Sequence, residues 1–373
     1  MRDEIPSHPR ELTPAVLTGL ISELHPGTEV QSAEIVKVRN YGDADSAGSV
    51  STSTQVSLAV RYSPATSKTL PNQIFVKMSV PEDINCSNPE LGPLFENEVA
   101  FYRRLRAELD IEAPLGLGGR FDPSSGRFVL ILEDLSPRSP HINSMMDADN
   151  LAGVEALLES YARLHARFWC SSRFGADLSW VQGQVEGEME EWFDKFIREH
   201  VINELKREKY KREFVEEAGT NEAELYFGEK ALKRHHAGLA QTLLHGDAHF
   251  GNTYLTQDGR GGLLDWQVNC RGFAMFDVGY LLHTALSVHT RRLKERELLA
   301  FYRDRLCSHG VQGAPDIEVL WTEYRRTAHH SFYLGWLTAP RENYGLEVCV
   351  LGNHRTKAAY QDLEARRLIK EIM

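Results

Sequence analysis

No stretch of this chain stays apolar long enough to span a bilayer. Its opening residues, MRDEIPSHPRELTP, put acids and prolines where a secretory signal needs an apolar core. Cysteine is scarce: Cys86, Cys170, Cys270, Cys307 and Cys349 are odd in number, scattered and never in a C-x-x-C pair. That spacing argues against a disulfide framework or a zinc knuckle and predicts a reduced, cytoplasmic protein. Basic charge is also in short supply, with 42 Lys and Arg against 53 Asp and Glu and a net charge of −11. A general nucleic-acid or anionic-membrane binder would carry a basic face, so neither partner is expected, although a local basic pocket for a nucleotide is compatible with this balance. Internal repeats are lacking, and so is low complexity beyond one small-residue loop.

What is present is ordinary for a globular protein: 42% hydrophobic and 25% charged residues in a chain of 373. That length exceeds one core, so two lobes are expected. Early on, a helix at about 14–24 precedes strands at 33–39, 55–62 and 73–78. The short connections between these strands predict an antiparallel sheet. A helix follows at 94–105, then a buried strand at 127–132 that ends in Glu133-Asp134-Leu135-Ser136-Pro137. Proline and polar residues there mark a boundary. The expected division is 1–135 and 136–373, with a hinge at about 133–140. The rest reads as helical: a core helix at 151–169, a helical insertion at about 183–235, and helices at 279–288, 291–309, 316–337 and 353–371. Within the insertion, 186–217 reads as one long charged helix whose charge run is a solvated face. Sheet first and helices afterwards make an α+β chain.

The most informative stretch is 243–282, which reads strand, polar loop, strand, Asp258-Gly259 turn, strand, then helix. It is expected to present Asp247, Asn252 and Asp265 together at the mouth of a sheet. Two carboxylates and an amide are oxygen ligands and acid–base groups, suited to Mg²⁺ and a reacting hydroxyl rather than to a soft metal. Phosphoryl transfer to a hydroxyl needs a carboxylate to take the proton and Mg²⁺ on the phosphate oxygens. The five-residue step from Asp247 to Asn252 keeps base and metal ligand on one loop, and protein kinases show the same H-x-D-x-x-x-x-N spacing. The thirteen-residue step to Asp265 crosses one hairpin and returns a second metal ligand alongside. Lys77 lies inside an apolar strand, where an unpaired ammonium is costly, and a partner on the next helix is expected. Glu98 is favoured and Glu96 is the competitor. Such a lysine would reach nucleotide phosphates. The loop at 42–54, closing on Ser53 and Thr54, lacks G-x-G-x-x-G, but its N–H groups and hydroxyls could cradle phosphates.

Two bland or rival readings stand beside these. His245-x-Asp247-x-His249 could hold zinc, which would make the chain a zinc-dependent hydrolase. The alternative is that His245 fixes the loop and His249 is a loop residue. Asp277, before Val278-Gly279-Tyr280, reads as a helix N-cap, with a link to the Asp247 loop as the other possibility.

Taken together, His245-Gly246-Asp247-x-His249-x-x-Asn252, Leu263-Leu264-Asp265-Trp266 and Asp277-Val278-Gly279-Tyr280-Leu281-Leu282 resemble the aminoglycoside phosphotransferase-like kinases, including the choline/ethanolamine kinase-like and ecdysteroid kinase-like branches. Phe95-Glu96-Asn97-Glu98-Val99, Leu130-Ile131-Leu132-Glu133-Asp134-Leu135 and Ala162-Arg163-Leu164-His165 look like that family's N-lobe helix, hinge and first large C-lobe helix. The resemblance implies a bilobal, protein-kinase-like fold binding ATP and Mg²⁺. It implies Asp247 as catalytic base, Asn252 and Asp265 as metal ligands, and Lys77 paired to Glu98 on the phosphates. It also implies that main-chain groups of Glu133 and Leu135 hold adenine. Asp265-Trp266-Gln267 stands where protein kinases have Asp-Phe-Gly, and no Ala-Pro-Glu segment follows, so a small-molecule hydroxyl is the expected acceptor. The insertion at 186–217 and the aromatic run 332–336 are candidate walls of its pocket. Acidic and aromatic lining would suit a cationic or flat apolar acceptor. A non-catalytic nucleotide-binding protein is the remaining alternative.

Overall fold

The computed structural model describes residues 5–40, 53–66, 70–79 and 91–373, which divide into two compact units. The first comprises 1–109 and 113–140; the second comprises 110–112 and 141–373.

The first unit is built on five antiparallel strands: β1 (Val30–Arg39), β2 (Thr54–Tyr62), β3 (Gln73–Met78), β4 (Gly116–Asp122) and β5 (Arg127–Glu133). Their order in the sheet is β1-β2-β3-β5-β4. Alternation sorts the side chains by face. Val56 and Leu58 of β2, Ile74 and Val76 of β3, and Val129 and Ile131 of β5 share one core with Leu17, Leu20 and Ile21 of helix α1 (Pro14–Ser22). The helix starts where Thr13 caps the Val16 N–H at 3.4 Å. Helix α2 (Gly92–Arg104) packs on the opposite face, where Phe95 stacks on Phe128 at 4.0 Å. Strand β4 was not anticipated, because Gly116, Gly118 and Gly119 lower its strand propensity. Packing explains one of them. A Cβ on Gly118 would stand 2.6 Å from the Leu20 carbonyl oxygen, so α1 can approach only over a glycine.

The second unit is mainly helical. Helix α3 (Leu151–Phe168), capped by Asn150, buries Val154, Leu157, Leu158, Tyr161, Leu164, His165 and Phe168 along one stripe. The stretch expected to be one solvated helix is instead four pieces: α4 (Glu188–Trp192), a π-helical turn at Phe193–Ile197, α5 (Arg198–Arg207) and α6 (Lys209–Glu217). Glu208 is extended, with φ −103° and ψ 109°, and breaks the helix between α5 and α6. Nor is the charge run simply solvated. Glu190, Glu204 and Lys211 are buried, and each finds an opposite charge, as burial demands.

After α6 come α7 (Glu222–Ala237), α8 (Met275–Ala285), α9 (Val288–Ser308), α10 (Ile317–His330), α11 (Arg341–Tyr344), α12 (Leu346–Asp362) and α13 (Ala365–Lys370). The helix expected at 316–337 turns π-helical at Ser331–Trp336, and the one expected at 353–371 begins at Leu346 and breaks after Asp362. Every residue of α8 is buried, which makes it the axis of the unit. Among the described residues no helix is long and apolar enough to cross a membrane.

Candidate active site

The strands of 243–282 form two small ladders rather than the mouth of one sheet. One pairs β7 (Thr242–Leu244) with β10 (Cys270–Gly272), and the other pairs β6 (His141–Ile142) with β8 (Thr253–Leu255) and β8 with β9 (Gly261–Leu263). Strands β8 and β9 make the hairpin that Asp258-Gly259 signals, with Gly259 at φ +82°. That hairpin brings Asn252 and Asp265 together, since the Leu264 N–H donates to the Asn252 carbonyl at 2.8 Å. Asp265 holds a left-handed φ of +62°, a conformation uncommon outside glycine and concentrated at functional sites.

The Asp247 loop is tied down from several sides. Asn252 Nδ2 donates to Asp247 Oδ2 at 2.9 Å and to the Asp247 carbonyl at 3.0 Å. Committing the amide nitrogen to Asp247 turns Oδ1, the atom a hard cation would need, the other way. Gly246 has φ +85°, and a Cβ there would fall 2.1 Å from the Val268 carbonyl oxygen, so this position takes only glycine. His245 Nδ1 accepts the Asp247 N–H at 3.3 Å, and Nε2 donates to the Leu264 carbonyl at 2.7 Å. Both ring nitrogens are therefore spent on holding the loop to the strand before Asp265. This removes His245 from any zinc site.

Asp277 is not a helix N-cap. It is the third residue of α8, and its carboxylate accepts the N–H groups of His245 (2.7 Å) and Gly246 (3.0 Å). The same carboxylate meets His165 Nε2 of α3 at 3.1 Å, and His165 Nδ1 meets the Tyr302 hydroxyl of α9 at 2.8 Å. Three helices thus converge on the backbone just before Asp247, and the link to the loop is the role this aspartate has. His165 could be read only as a member of an apolar stripe; a histidine within that stripe was the one signal of a buried polar partner.

A cavity of about 130 Å³ opens beside Asp247. Tyr280, Trp336, Thr338, Asn343 and Tyr344 line it together with His249. His249 Nδ1 accepts the Gly251 N–H at 3.1 Å, which makes Nε2 the protonated nitrogen, and Nε2 lies 3.9 Å from Asp247 Oδ2. Burial lowers the His249 pKa, against the pull of Asp247, so the ring is an uncharged donor at neutral pH. Burial and the charges of Asp247 and Asp265 push the Tyr344 phenol well above its ordinary range. Of the two walls expected from sequence, the aromatic run supplies Leu334, Gly335 and Trp336. The insertion at 186–217 contributes no lining residue, and Asp247 is the one carboxylate among the described lining residues.

In the first unit, Lys77 Nζ lies 2.8 and 3.0 Å from the two carboxylate oxygens of Glu98, so Glu98 and not Glu96 is its partner. The loop at 42–54 lies outside the described residues up to 52. Ser53 and Thr54 are both buried where β2 begins, with Thr54 in register with Met78. Glu133 ends β5, its N–H donating to the Leu115 carbonyl at 2.9 Å, and Leu135 precedes the turn at Ser136–Arg138.

Residues 87–311 match the model of the phosphotransferase enzyme family. No curated protein matches the chain. Among solved structures, it is similar to a choline kinase from Cryptosporidium parvum, at 11% identity and a TM-score of 0.48 over 96% of this chain and 95% of that one. It is also similar to an aminoglycoside phosphotransferase in complex with GDP and kanamycin, at 13% identity and a TM-score of 0.46 over 94% and 97%. A third is an aminoglycoside phosphotransferase from Streptomyces rimosus in complex with ADP and streptomycin, at 17% identity and a TM-score of 0.43 over 80% and 95%.

Proposed function

The chain belongs to the phosphotransferase enzyme family, and we propose on that premise that it moves the γ-phosphate of ATP to a hydroxyl of a small molecule, with Mg²⁺. One observation carries this reading: Asp247 and Asn252 are hydrogen-bonded on a single clamped loop, and a backbone hydrogen bond brings Asp265 beside them.

In this reading the acceptor hydroxyl sits in the cavity against Asp247. As its oxygen forms the new bond to phosphorus and the bond to the β-phosphate oxygen breaks, the hydroxyl proton passes to Asp247. The clamp from Asp277, His165 and Tyr302 holds the base still, which is what positioning catalysis requires. The His249 N–H faces the same space and is placed to donate to the acceptor oxygen. Asn252 Oδ1 and the Asp265 carboxylate are hard oxygen donors of the kind Mg²⁺ takes and would hold it. When bound, the ion would neutralise charge on the phosphate oxygens. Lys77, held by Glu98, would contact the phosphates, with Ser53 and Thr54 next to the phosphate loop. The Glu133 N–H is committed to Leu115, so its carbonyl, with main-chain groups of Leu135, would serve adenine. The four described cysteines are free thiols, which suits a reducing cytoplasm.

The deciding experiment is a screen of amino alcohols, choline, aminoglycosides and neutral polyols with γ-labelled ATP and Mg²⁺. A labelled product that disappears in Asp247→Asn is expected. Stabilisation by ATP with no product from any acceptor would replace this reading with that of a nucleotide-binding protein.

A further inference from the structure

The wall of the cavity beside Asp247 is held from outside its own helix. After the π-helical turn at Ser331–Trp336, the chain from 337 to 340 is irregular and supplies Thr338, Ala339 and Pro340 to the lining. The last carbonyls of a helical segment lack internal partners and favour cations nearby. Here those carbonyls are answered from the insertion. Lys211 of α6 is fully buried, and its Nζ bonds Glu204 Oε2 at 2.5 Å, the Leu337 carbonyl at 2.9 Å and the Ala339 carbonyl at 2.7 Å. An ammonium has three N–H donors, so all are used. His200 of α5 donates from Nε2 to the intervening Thr338 carbonyl at 2.7 Å. Three successive carbonyls are thereby fixed by two side chains. Further along, Arg207 bonds Glu342 at 2.8 Å, next to the lining residues Asn343 and Tyr344.

We propose that Lys211, assisted by His200, is a positioning residue for the phosphate acceptor: it fixes the cavity wall and so governs acceptor binding, while nucleotide chemistry proceeds without it. This rests on reading the cavity as the acceptor site. Apolar residues of equal volume would stabilise a buried position as well as an ion pair does. What the ammonium adds is direction, since it addresses two carbonyls of an otherwise irregular strand of chain at once. The insertion thereby acts on the site without touching the acceptor.

The test pairs Lys211→Met with Lys211→Arg, assayed below their melting temperatures. Hydrogen exchange of amides 337–344 should accelerate about tenfold or more in Lys211→Met, with amides 243–252 unchanged. The acceptor KM should rise about tenfold, with kcat and acceptor-free ATP hydrolysis within about twofold of the parent, and Lys211→Arg should recover much of the loss. His200→Ala, at a less buried position, should show the same pattern more weakly, and it serves if Lys211→Met does not fold. Unchanged exchange at 337–344 in the folded variants overturns the proposal. So does a fall of ATP hydrolysis in step with acceptor transfer, which would mark a general loss of structure. Failure of the parent protein to phosphorylate any acceptor would instead remove the acceptor reading, and the exchange contrast would still decide whether Lys211 holds the wall.

Discussion

Two lysine–glutamate pairs, one in each unit, look alike on paper and differ in what surrounds them. Lys77 is 17% exposed and Glu98 3%, and the lysine meets both oxygens of its partner. Lys211 is 0% exposed and Glu204 4%, and its other two donors end on main-chain carbonyls. The first pair leaves its lysine partly open to solvent, as the contact with a polyphosphate proposed for it would require. The second is closed in every direction and can only hold what it already touches. Burial separates the two pairs; charge and partner type do not.

The comparison can be broken by experiment, with the proposed catalytic base as its upper reference. Asp247→Asn should lower turnover by about 10²–10⁴, with nucleotide binding near normal. Steady-state kinetics and calorimetry would check this, and full retained turnover would sink the assignment. Lys77→Met should lower turnover by about 10²–10³, the worth of a charged group directed at the transition state. It should lower the melting temperature less than Lys211→Met does, since Lys77 is partly exposed although the Glu98 it leaves unpaired is buried. Lys211→Met should invert that pattern. Breaking a buried pair costs about 3 kcal/mol or more, and ATP hydrolysis should persist below the melting temperature. If the two variants shift stability equally, the distinction between the pairs falls.

A more exposed cluster gives the small end of the scale. Glu159 of α3 meets Arg163, Arg305 and His309. Partial burial would raise its pKa, but the hydrogen bonds from Arg305, Arg163 and His309 outweigh that and hold it at about 2. A carboxyl depressed below its ordinary value of about 4.3 adds stability that is present above that value and is lost as pH falls toward 2. The melting-temperature gap between the parent and Glu159→Gln should therefore be small at pH 7 and close as pH drops through that window. A gap that widens on acidification would contradict the assignment.

Much of this was legible in the chain. The alternation of Val56, Leu58 and Val60 gave β2, and Asp258-Gly259 gave the hairpin that returns Asp265 to Asn252. Both signals are local, because strand faces and turn types depend on residues two to four apart. Lys77 required a partner because of its apolar strand, and the sequence favoured Glu98 over Glu96, the choice that the rotation of α2 against the sheet then decided. Asp277 shows the opposite failure. Its local signature is that of a cap, yet it accepts hydrogen bonds from a loop about thirty residues earlier. Strand β4 was hidden because its glycines lower strand propensity, and one of them, Gly118, answers to α1 rather than to its own neighbours.

By itself, then, the sequence determined the chemistry on offer: a carboxylate, an amide and a second carboxylate at spacings that a loop and a hairpin must bring together. Tertiary structure alone decided which groups serve them. His165 and Tyr302 became supports for the loop, His249 turned a donor toward the cavity, and Lys211 left the solvated face its sequence suggested to hold the wall. The physical reason is that burial, not residue type, sets whether a charge must be paired, and burial depends on segments far apart in the chain.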